Sequence, residues 1–216
     1  MRVISINIAQ PEPVVINGRE QLTGIYKRPL GGPVMLRRLN LAGDGQGDLK
    51  NHGGEFKAAY LYPHEHYAYW AQVLRRDGFD PGQFGENFTT EGVLESEIHL
   101  GDHLRIGAAI VEAVQPRIPC FKLAHKMDVP DFVAQFQQAG RPGIYLRVVE
   151  EGRVSPGDAI RIVRRGDPSL SIHRLNHLFY NWRDEVAAVQ AALHSPWLMP
   201  KWKHMLSDLL ARHGVD

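Results

Sequence analysis

The feature that most constrains the fold is a series of short β-type runs in the larger, N-terminal part of the chain, followed by a change of period. The runs are broken by glycine, proline and aspartate, and several of them alternate apolar with polar residues, a pattern typical of strands in a barrel or sandwich. The clearest runs are MRVISINIAQ (1–10), VMLRRLNL (34–41), AAYLYP (58–63), HLRIGAAIVEAVQ (103–115), GIYLRVV (143–149) and AIRIVRR (159–165). We therefore predict a mainly β fold over residues 1–165.

Two helices are predicted between these runs. The first has Pro63 at its first helical position, places Tyr67 and Trp70 on one face, and stops at Gly78. The second lies in residues 128–140, where three apolar side chains share one face and a glycine closes the segment.

From residue 166 onward, apolar residues recur at helical spacing and predict three short helices. The first covers residues 172–179, the second covers 186–193, and the third begins at Pro200. Isolated helices of about ten residues are unstable in water, so these must pack on one another or on the β domain. We predict two domains, a β-barrel of residues 1–165 and a three-helix domain of residues 166–216.

The charge balance limits the classes of partner. Lys and Arg number 25 against 24 Asp and Glu, which gives a formal net charge of +1. Such a chain has no global field that would recruit nucleic acid or an anionic membrane, so neither partner is expected and any anion site must be local. The single cysteine and the lack of a long apolar segment at the start predict a cytoplasmic protein.

Cys120 is the only cysteine, and its setting in RIPCFKL is unusual. A lone cysteine is most often a small buried hydrophobe. Here, however, Arg117 and Lys122 would stabilise a thiolate, and Pro119 holds the turn extended. A nucleophile or a soft-metal ligand is therefore the competing interpretation.

Two glycine-rich loops carry further candidates. Residues 43–58 contain five glycines, among them Gly53 and Gly54, together with His52 and Lys57. Loops on a rigid β-scaffold are common places for binding and catalytic residues, and glycines allow a ligand to approach the backbone. For any single Gly-Gly pair, turn formation alone remains the favoured interpretation.

The second such loop, residues 84–93, contains Gly85, Glu86 and Asn87. Elsewhere, His64-Glu65-His66 looks like a metal-binding fragment, but it opens an amphipathic helix, so helix-start polarity is the preferred interpretation. The sequence has no Cys-x-x-Cys, His-Glu-x-x-His, Walker loop or Gly-x-Ser-x-Gly. This argues against the usual zinc, nucleotide-phosphate and serine-hydrolase sites.

Six segments in order resemble the MOSC domain, a family named after the C-terminal part of molybdenum cofactor sulfurases. They are HGGEFKA, YPHEHY, FGENFTTEGV, HLGD, QPRIPCFKL and GIY. The resemblance is to the YiiM-like branch, which carries a small three-helix domain at its C-terminus. It implies an antiparallel β-barrel that binds a molybdenum–pterin cofactor (molybdopterin). It also implies reduction of N-hydroxylated compounds, such as hydroxylaminopurine-type base analogues, to amines.

The matching motifs suggest roles for individual residues. The family cysteine aligns with Cys120, which would bind the metal or carry sulfur, while Glu86 or His52 would deliver protons. The pterin phosphate would meet Arg117 and Lys57, and more loosely Arg147, and the amide of Asn87 would bind the pterin ring. The remaining candidates for cofactor contact are the loop glycines Gly53, Gly54 and Gly85.

Electrons would come from a separate flavin reductase, because no flavin, haem or iron–sulfur motif is visible and one cysteine cannot ligate a cluster. Two alternatives stay open. Cys120 could carry a persulfide to a metallo-partner, or the chain could be a non-catalytic binding module. The helical tail is a candidate contact for the donor or for a second copy in a homodimer, although ordinary packing on the barrel is favoured.

Overall fold

The computed structural model of the chain describes residues 1–212 and 214, apart from the side chain of residue 51. Its main sheet has eight strands in the order β12-β8-β9-β10-β6-β7-β1-β4, and β2-β3 and β5-β11 form two small sheets. The strands are β1 Arg2–Ile8, β2 Glu12–Ile16, β3 Arg19–Thr23, β4 Arg28–Pro29, β5 Val34–Leu36, β6 Ala59–Pro63, β7 Phe88–Glu91, β8 His103–Ile106, β9 Ala109–Pro116, β10 Ile144–Glu150, β11 Gly152–Val154 and β12 Ile160–Arg164.

The predicted closed antiparallel barrel is wrong. The sheet is mixed, because β6 and β7 run parallel, and its pairing does not close. Between β1 and β12 the pairing is reduced to an isolated bridge between Arg2 and Ala159, with backbone hydrogen bonds from Val3 to Asp158 and from Ile160 to Met1. Alternation of apolar and polar residues specifies which face of a strand is buried, but it does not specify whether the edge strands pair along their length.

The strands all lie within residues 1–165, as predicted, but the chain as a whole is not clearly mainly β, since helix accounts for 30% of the residues and strand for 29%. The helices are α1 Leu49–His52, α2 Glu65–Leu74, α3 Phe121–Met127, α4 Phe132–Ala139, α5 Ile172–Tyr180, α6 Val186–Leu193 and α7 Pro200–Ala211, with 3-10 turns at Glu55–Lys57 and Trp182–Asp184. No helix in the described part of the chain is long and apolar enough to cross a membrane.

The first predicted helix is displaced. Pro63 is the last residue of β6, where it pairs with Thr90 of β7, so α2 begins two residues later. The helix ends at Leu74, because Arg75 adopts the left-handed conformation before Gly78 is reached. The prediction for residues 128–140 is confirmed by α4, which ends at Gly140 in that same conformation.

The three C-terminal helices form where the apolar spacing predicts them. The hydroxyl of Ser171 accepts a hydrogen bond from the backbone N–H of Arg174 and caps α5, while Pro200 occupies the first turn of α7. Their apolar faces join the main sheet in one continuous core. The division into two domains at residue 166 stays a prediction.

A second core lies under α2, α3 and α4. It is aromatic, and its rings stack closely, as in the pair formed by Trp70 and Phe136, whose centroids are 5.7 Å apart. Tyr62 packs on Phe84 in the same cluster at 4.5 Å. This cluster fixes the loop of residues 82–87 and helix α3 relative to each other, and both contribute to the site described next.

Candidate functional site

Cys120 lies where the buried strand β9 gives way to helix α3. The chain leaves β9 at Pro116, and Pro119 then precedes Cys120, whose extended backbone makes it the N-cap residue of α3. The backbone N–H of Leu123 donates to the Cys120 carbonyl over 2.9 Å. The extended conformation expected next to Pro119 is therefore present, and the half-buried sulfur lies at the first turn of the helix.

The surroundings of the sulfur favour the thiolate. Burial raises the pKa of the Cys120 thiol, but a hydrogen bond from His52, the charge of Arg117 and the backbone N–H of Lys122 lower it to about 7. The imidazole of His52 also meets Asp48, with 3.5 Å between Nδ1 and Oδ2. Helix α1 thus supplies the hydrogen-bonding partner of the cysteine.

Cys120 stands at the junction of two lobes of a cleft. The empty volume, including the part open to solvent, is about 580 Å³ in the sheet lobe and about 950 Å³ in the helix lobe. Both lobes are lined by Asp48, His52, Lys57, Cys120, Lys122 and Tyr145. The sheet lobe adds residues of the segments 23–27 and 45–47, with Tyr60, Gly85, Asn87 and Arg117. The helix lobe adds Gln21, residues 115, 116, 118, 119 and 121, and Lys201, Trp202 and Met205 of α7.

Arg117 is a buried cation facing the sheet lobe. Its side chain donates to the Phe84 carbonyl, and its guanidinium lies over the Tyr60 ring, 4.8 Å from the centroid. Among residues 1–212, no carboxylate lies within ion-pairing distance of it. Burying a charge without a counter-charge is costly, so this position favours an anion in the lobe.

Lys57 brings a second cation to both lobes. It ends the 3-10 turn Glu55–Lys57, which follows Gly54 at a φ of 91°. Burial, followed by the charges of Lys201 and Arg117, lowers the pKa of Lys57 to about 8. Its ammonium also lies 5.4 Å from the centroid of the Tyr145 ring. Gly53 and Gly54 shape this turn and do not line the cleft.

Asn87 lines the sheet lobe, but its amide is used by the fold. It donates to Asp44 Oδ2 over 2.8 Å and to the Asn7 carbonyl, and it accepts from the Tyr60 backbone N–H. The other oxygen of Asp44 binds the buried ammonium of Lys27. Asn87 therefore holds the segment around residue 44 against β1 and β6, and its contact with a pterin ring stays a prediction.

Glu86 does not line either lobe. Its carboxylate is fully buried and accepts hydrogen bonds from the backbone N–H groups of Gly82 and Phe84, from the Tyr67 hydroxyl and from the Thr89 hydroxyl. Four donors fix the orientation of this carboxylate. The structure thus separates Glu86 from Cys120, whereas His52, the other candidate for proton delivery, contacts the cysteine.

The structure does not bring Arg147 to the cleft either. Its guanidinium donates to Glu112 of β9 over 2.5 Å, and it lies 5.8 Å from the Phe56 ring centroid. Gly85 does line the sheet lobe, with a φ of 77°, and an added Cβ would come within 2.8 Å of the Ile25 side chain. Glycine is required there because an L side chain is strained at that φ.

Several lining residues were missed by the sequence reasoning. Lys122 was noted only as a charge near Cys120, and the structure places its ammonium 3.2 Å from the Leu22 carbonyl at the edge of the cleft. Tyr145 lies in the predicted strand of residues 143–149, and nothing in the sequence marks it as a site residue. Lys201 reaches the cleft from a helix about 80 residues farther along the chain, which no local pattern could show.

The described residues contain no group of three His, Cys, Asp or Glu side chains arranged to hold a metal ion. In the His64-Glu65-His66 fragment, two of the side chains are used by the fold. Glu65 accepts from the Gly92 backbone N–H, and His66 is buried against Glu95 at 2.8 Å.

Comparison with known proteins gives one family. The MOSC domain model matches residues 48–161, which include the turn of Lys57, the loop of Gly85 and the cysteine. The uncharacterized protein YflK of Bacillus subtilis is 41% identical over 201 residues, covering 93% of this chain and 90% of YflK. A protein of Gibberella moniliformis named reductase is 31% identical over 158 residues, covering 72% of this chain but 28% of that longer protein.

A solved structure is similar over nearly the whole chain. It is that of YiiM from Geobacillus stearothermophilus, with a TM-score of 0.79 and 36% identity, covering 96% of this chain and 97% of the other. The similarity therefore extends beyond the matched domain to the C-terminal helices.

Proposed function

The chain belongs to the MOSC domain family, among its YiiM-like members, and on that premise we propose that it is a molybdenum–pterin oxidoreductase that reduces N-hydroxylated compounds to amines. The observation that carries the proposal is the pairing of Cys120, a thiol with a pKa of about 7, with the buried cation Arg117 in one cleft. The two groups act on each other, since the charge of Arg117 lowers the pKa of Cys120, and the described residues give Arg117 no carboxylate partner. A metal centre at the thiolate and an anionic phosphate at the guanidinium would complete this arrangement.

The residues of the cleft fit a cofactor of this kind. A thiolate is a soft ligand that suits a metal already held by sulfur, and Cys120 presents one where the two lobes meet. The sheet lobe, at about 580 Å³, is lined by Arg117, Lys57 and Lys122. Guanidinium and ammonium groups are common receptors for phosphate. In this proposal Arg117 holds the phosphate in the sheet lobe, Lys57 lies at the boundary of the two lobes, and Cys120 faces the metal.

The bound cofactor would supply the two-electron redox chemistry, and the side chains would orient the substrate and move protons. Reduction of an N-hydroxylated compound to the amine consumes two electrons and two protons and releases one water. His52 is the side chain best placed to donate a proton, because it contacts Cys120 and its ring meets Asp48. Glu86 helps by holding the loop of Gly85, since its oxygens are occupied and turned away from the cleft.

The electrons would reach the cleft from a separate flavin reductase. The protein of Gibberella moniliformis named reductase supports a redox role for relatives of this chain. A cytoplasmic location and activity on hydroxylaminopurine-type base analogues belong to the same proposal. A homodimer through the helical tail also stays a prediction.

The test is molybdenum content measured together with reduction of N-hydroxylated substrates, using protein produced in a host that makes the cofactor. We expect bound molybdenum and reductase-dependent activity in the native chain, and loss of both in Cys120→Ser. Arg117→Gln should release cofactor, whereas Arg147→Gln, an arginine outside the cleft, should retain it. Circular dichroism would show that each variant is folded.

Two outcomes would contradict the proposal. Protein without molybdenum whose Cys120 carries a persulfide by mass spectrometry would favour the sulfur-carrier alternative. A folded Cys120→Ser variant with undiminished molybdenum and activity would remove the thiolate from the mechanism and leave the binding-module alternative.

A further inference from the structure

The helix lobe is built by two distant parts of the chain. One wall comes from the turn after β9, where Ile118 and Phe121 are exposed, and the opposite wall comes from Lys201, Trp202 and Met205 of α7. The lobe therefore exists only because α7 packs beside β9. Residues 162–216 lie beyond the matched MOSC segment, so this wall is an addition to the domain that carries Cys120.

Hydrogen bonds fix the position of this wall. The indole N–H of Trp202, which is 1% exposed, donates to Gln115 Oε1 over 2.9 Å. The amide of Gln115 in turn donates to the Phe56 carbonyl over 2.9 Å, in the turn that carries Lys57. Lys201 precedes Trp202 in sequence, so these two hydrogen bonds fix the backbone of Lys201 relative to the turn that carries Lys57.

The two lysines place like charges at the same opening. Lys57 and Lys201 both line the helix lobe, and Lys201 is the second largest cause, after burial, of the low pKa of Lys57. Lys122 and His52 line the lobe as well, against one carboxylate, that of Asp48. Cations held close together repel each other, and an anion bound between them relieves the repulsion.

The same lobe also offers apolar contact. The rings of Tyr145, Phe121 and Trp202 line it, together with the side chain of Met205. Aromatic and thioether groups favour planar, apolar ligands, because they bury large area and contact ring edges well. A ligand that suits both features has a planar apolar body and an anionic group.

We propose that Lys201 and Lys57 form an anion subsite in the helix lobe, which selects substrates that carry a carboxylate or phosphate on a planar body. This inference deepens the proposed function and rests on it, since the reducible N–OH group would lie at Cys120 while the anionic group lies between the two lysines. Lys201 is then a specificity-determining residue supplied by the C-terminal helices.

Binding of reaction products tests the subsite without turnover. Benzamide, 4-carbamoylbenzoate and 4-(aminomethyl)benzamide are the products of three hydroxamic acids whose para positions carry hydrogen, an anionic carboxylate and a cationic aminomethyl group. Calorimetry at low salt on the purified holoprotein would give their affinities. We expect the anion to bind more tightly than the neutral compound, and the cation to bind most weakly. In Lys201→Gln the preference for the anion should fall by about fivefold, the value of a partly exposed charge pair.

Lys203→Gln is the matched control. Lys203 lies on the same helix, carries the same charge and does not line the cleft. It should leave the preference unchanged, whereas the charge reversal Lys201→Glu should abolish it. When the three hydroxamic acids are used as substrates, their kcat/KM values should follow the same order. The differences between them should lie in KM.

Equal affinity of the native protein for the anion and the neutral compound would overturn the subsite. So would an equal loss of preference in Lys201→Gln and Lys203→Gln, because only a general electrostatic effect would then remain. If the protein neither holds molybdenum nor reduces any substrate, the proposed function fails, and the binding data still decide the subsite. Reduction without charge preference would overturn the subsite alone.

Discussion

Replacement of His52 by asparagine should change the titration of Cys120 more than its maximal reactivity. Burial alone would raise the pKa of the thiol above its ordinary value of 9.0, and His52, Arg117 and the Lys122 backbone N–H bring it to about 7. The hydrogen bond from His52 is the largest of the lowering contributions. In His52→Asn the pKa should therefore rise toward 9, by about one unit or more.

The size of this change in the pKa of Cys120 decides which quantity to measure. At pH 7 about half of a thiol with a pKa near 7 is ionised, compared with about 1% of one with a pKa near 9. A thiolate of lower pKa is also less nucleophilic, and a Brønsted slope of about 0.4–0.5 removes most of that advantage in rate. The rate at pH 7 thus changes by only several-fold. The midpoint of the pH profile, which reports ionisation directly, is the sharper observable.

The assay is the rate of iodoacetamide labelling from pH 5 to 10, with cofactor-free protein from a host that cannot make the pterin. Because Cys120 is the only cysteine, mass spectrometry of the intact chain reads this site alone, and Cys120→Ser gives the blank. His204→Asn, an exposed histidine of α7, is the matched control. A native midpoint near 9, or the same midpoint in His52→Asn and the native chain, would refute the reasoning.

Two further predictions concern the loop that supports the cleft. Glu86→Gln should lower the free energy of unfolding by roughly 2–4 kcal/mol, because a buried carboxylate with four donors is replaced by an amide that can accept fewer of them. Urea denaturation would measure this loss, with Glu20→Gln, at an exposed position, as the control. Equal stability of the two variants would contradict the prediction. Gly85→Ala should cost about 1–3 kcal/mol, since its φ is 77°. Gly78→Ala, with open space around it and no such φ, should change the melting temperature little, and a similar loss in both would be evidence against strain at Gly85.

The strands and the C-terminal helices could be predicted because their signals are local. Alternation marks β1 and β10, short apolar runs mark β6 and β9, and the first residue of α7 is a proline. Other elements depend on pairing that no single segment reveals. Strand β7, expected as part of a glycine-rich loop, is formed by its pairing with two distant strands, antiparallel with β1 and parallel with β6. The hairpin of β2 and β3 turns at Asn17-Gly18, a dipeptide suited to the positive φ of both residues, and that signal went unused.

The candidate site shows the same difference between what local sequence reveals and what only the fold reveals. Cys120 and its flanking charges could be found from seven consecutive residues, and His52 and Lys57 from the loop before β6. The orientation of a side chain could not be found in this way. Glu86 and Asn87 are adjacent in sequence, yet the carboxylate of Glu86 points into the protein and the side chain of Asn87 lines the cleft. The two residues lie directly before strand β7, which begins at the next residue.

The local charge of the cleft could not have been read from the composition, and the reason is structural. Two of the lysines near the sheet lobe are already compensated from behind, since Lys27 binds Asp44 and Lys126 lies near Glu86. Such pairs contribute to the balance of 25 cations and 24 anions without acting on a ligand. Arg117 differs, because it is buried, it contacts a carbonyl and an aromatic ring, and the anion acting on it is the Cys120 thiolate of the cleft itself. A net charge near zero is therefore compatible with a strongly cationic site, provided that the carboxylates lie on the scaffold side of the cleft and leave the ligand side to a guanidinium without a carboxylate partner.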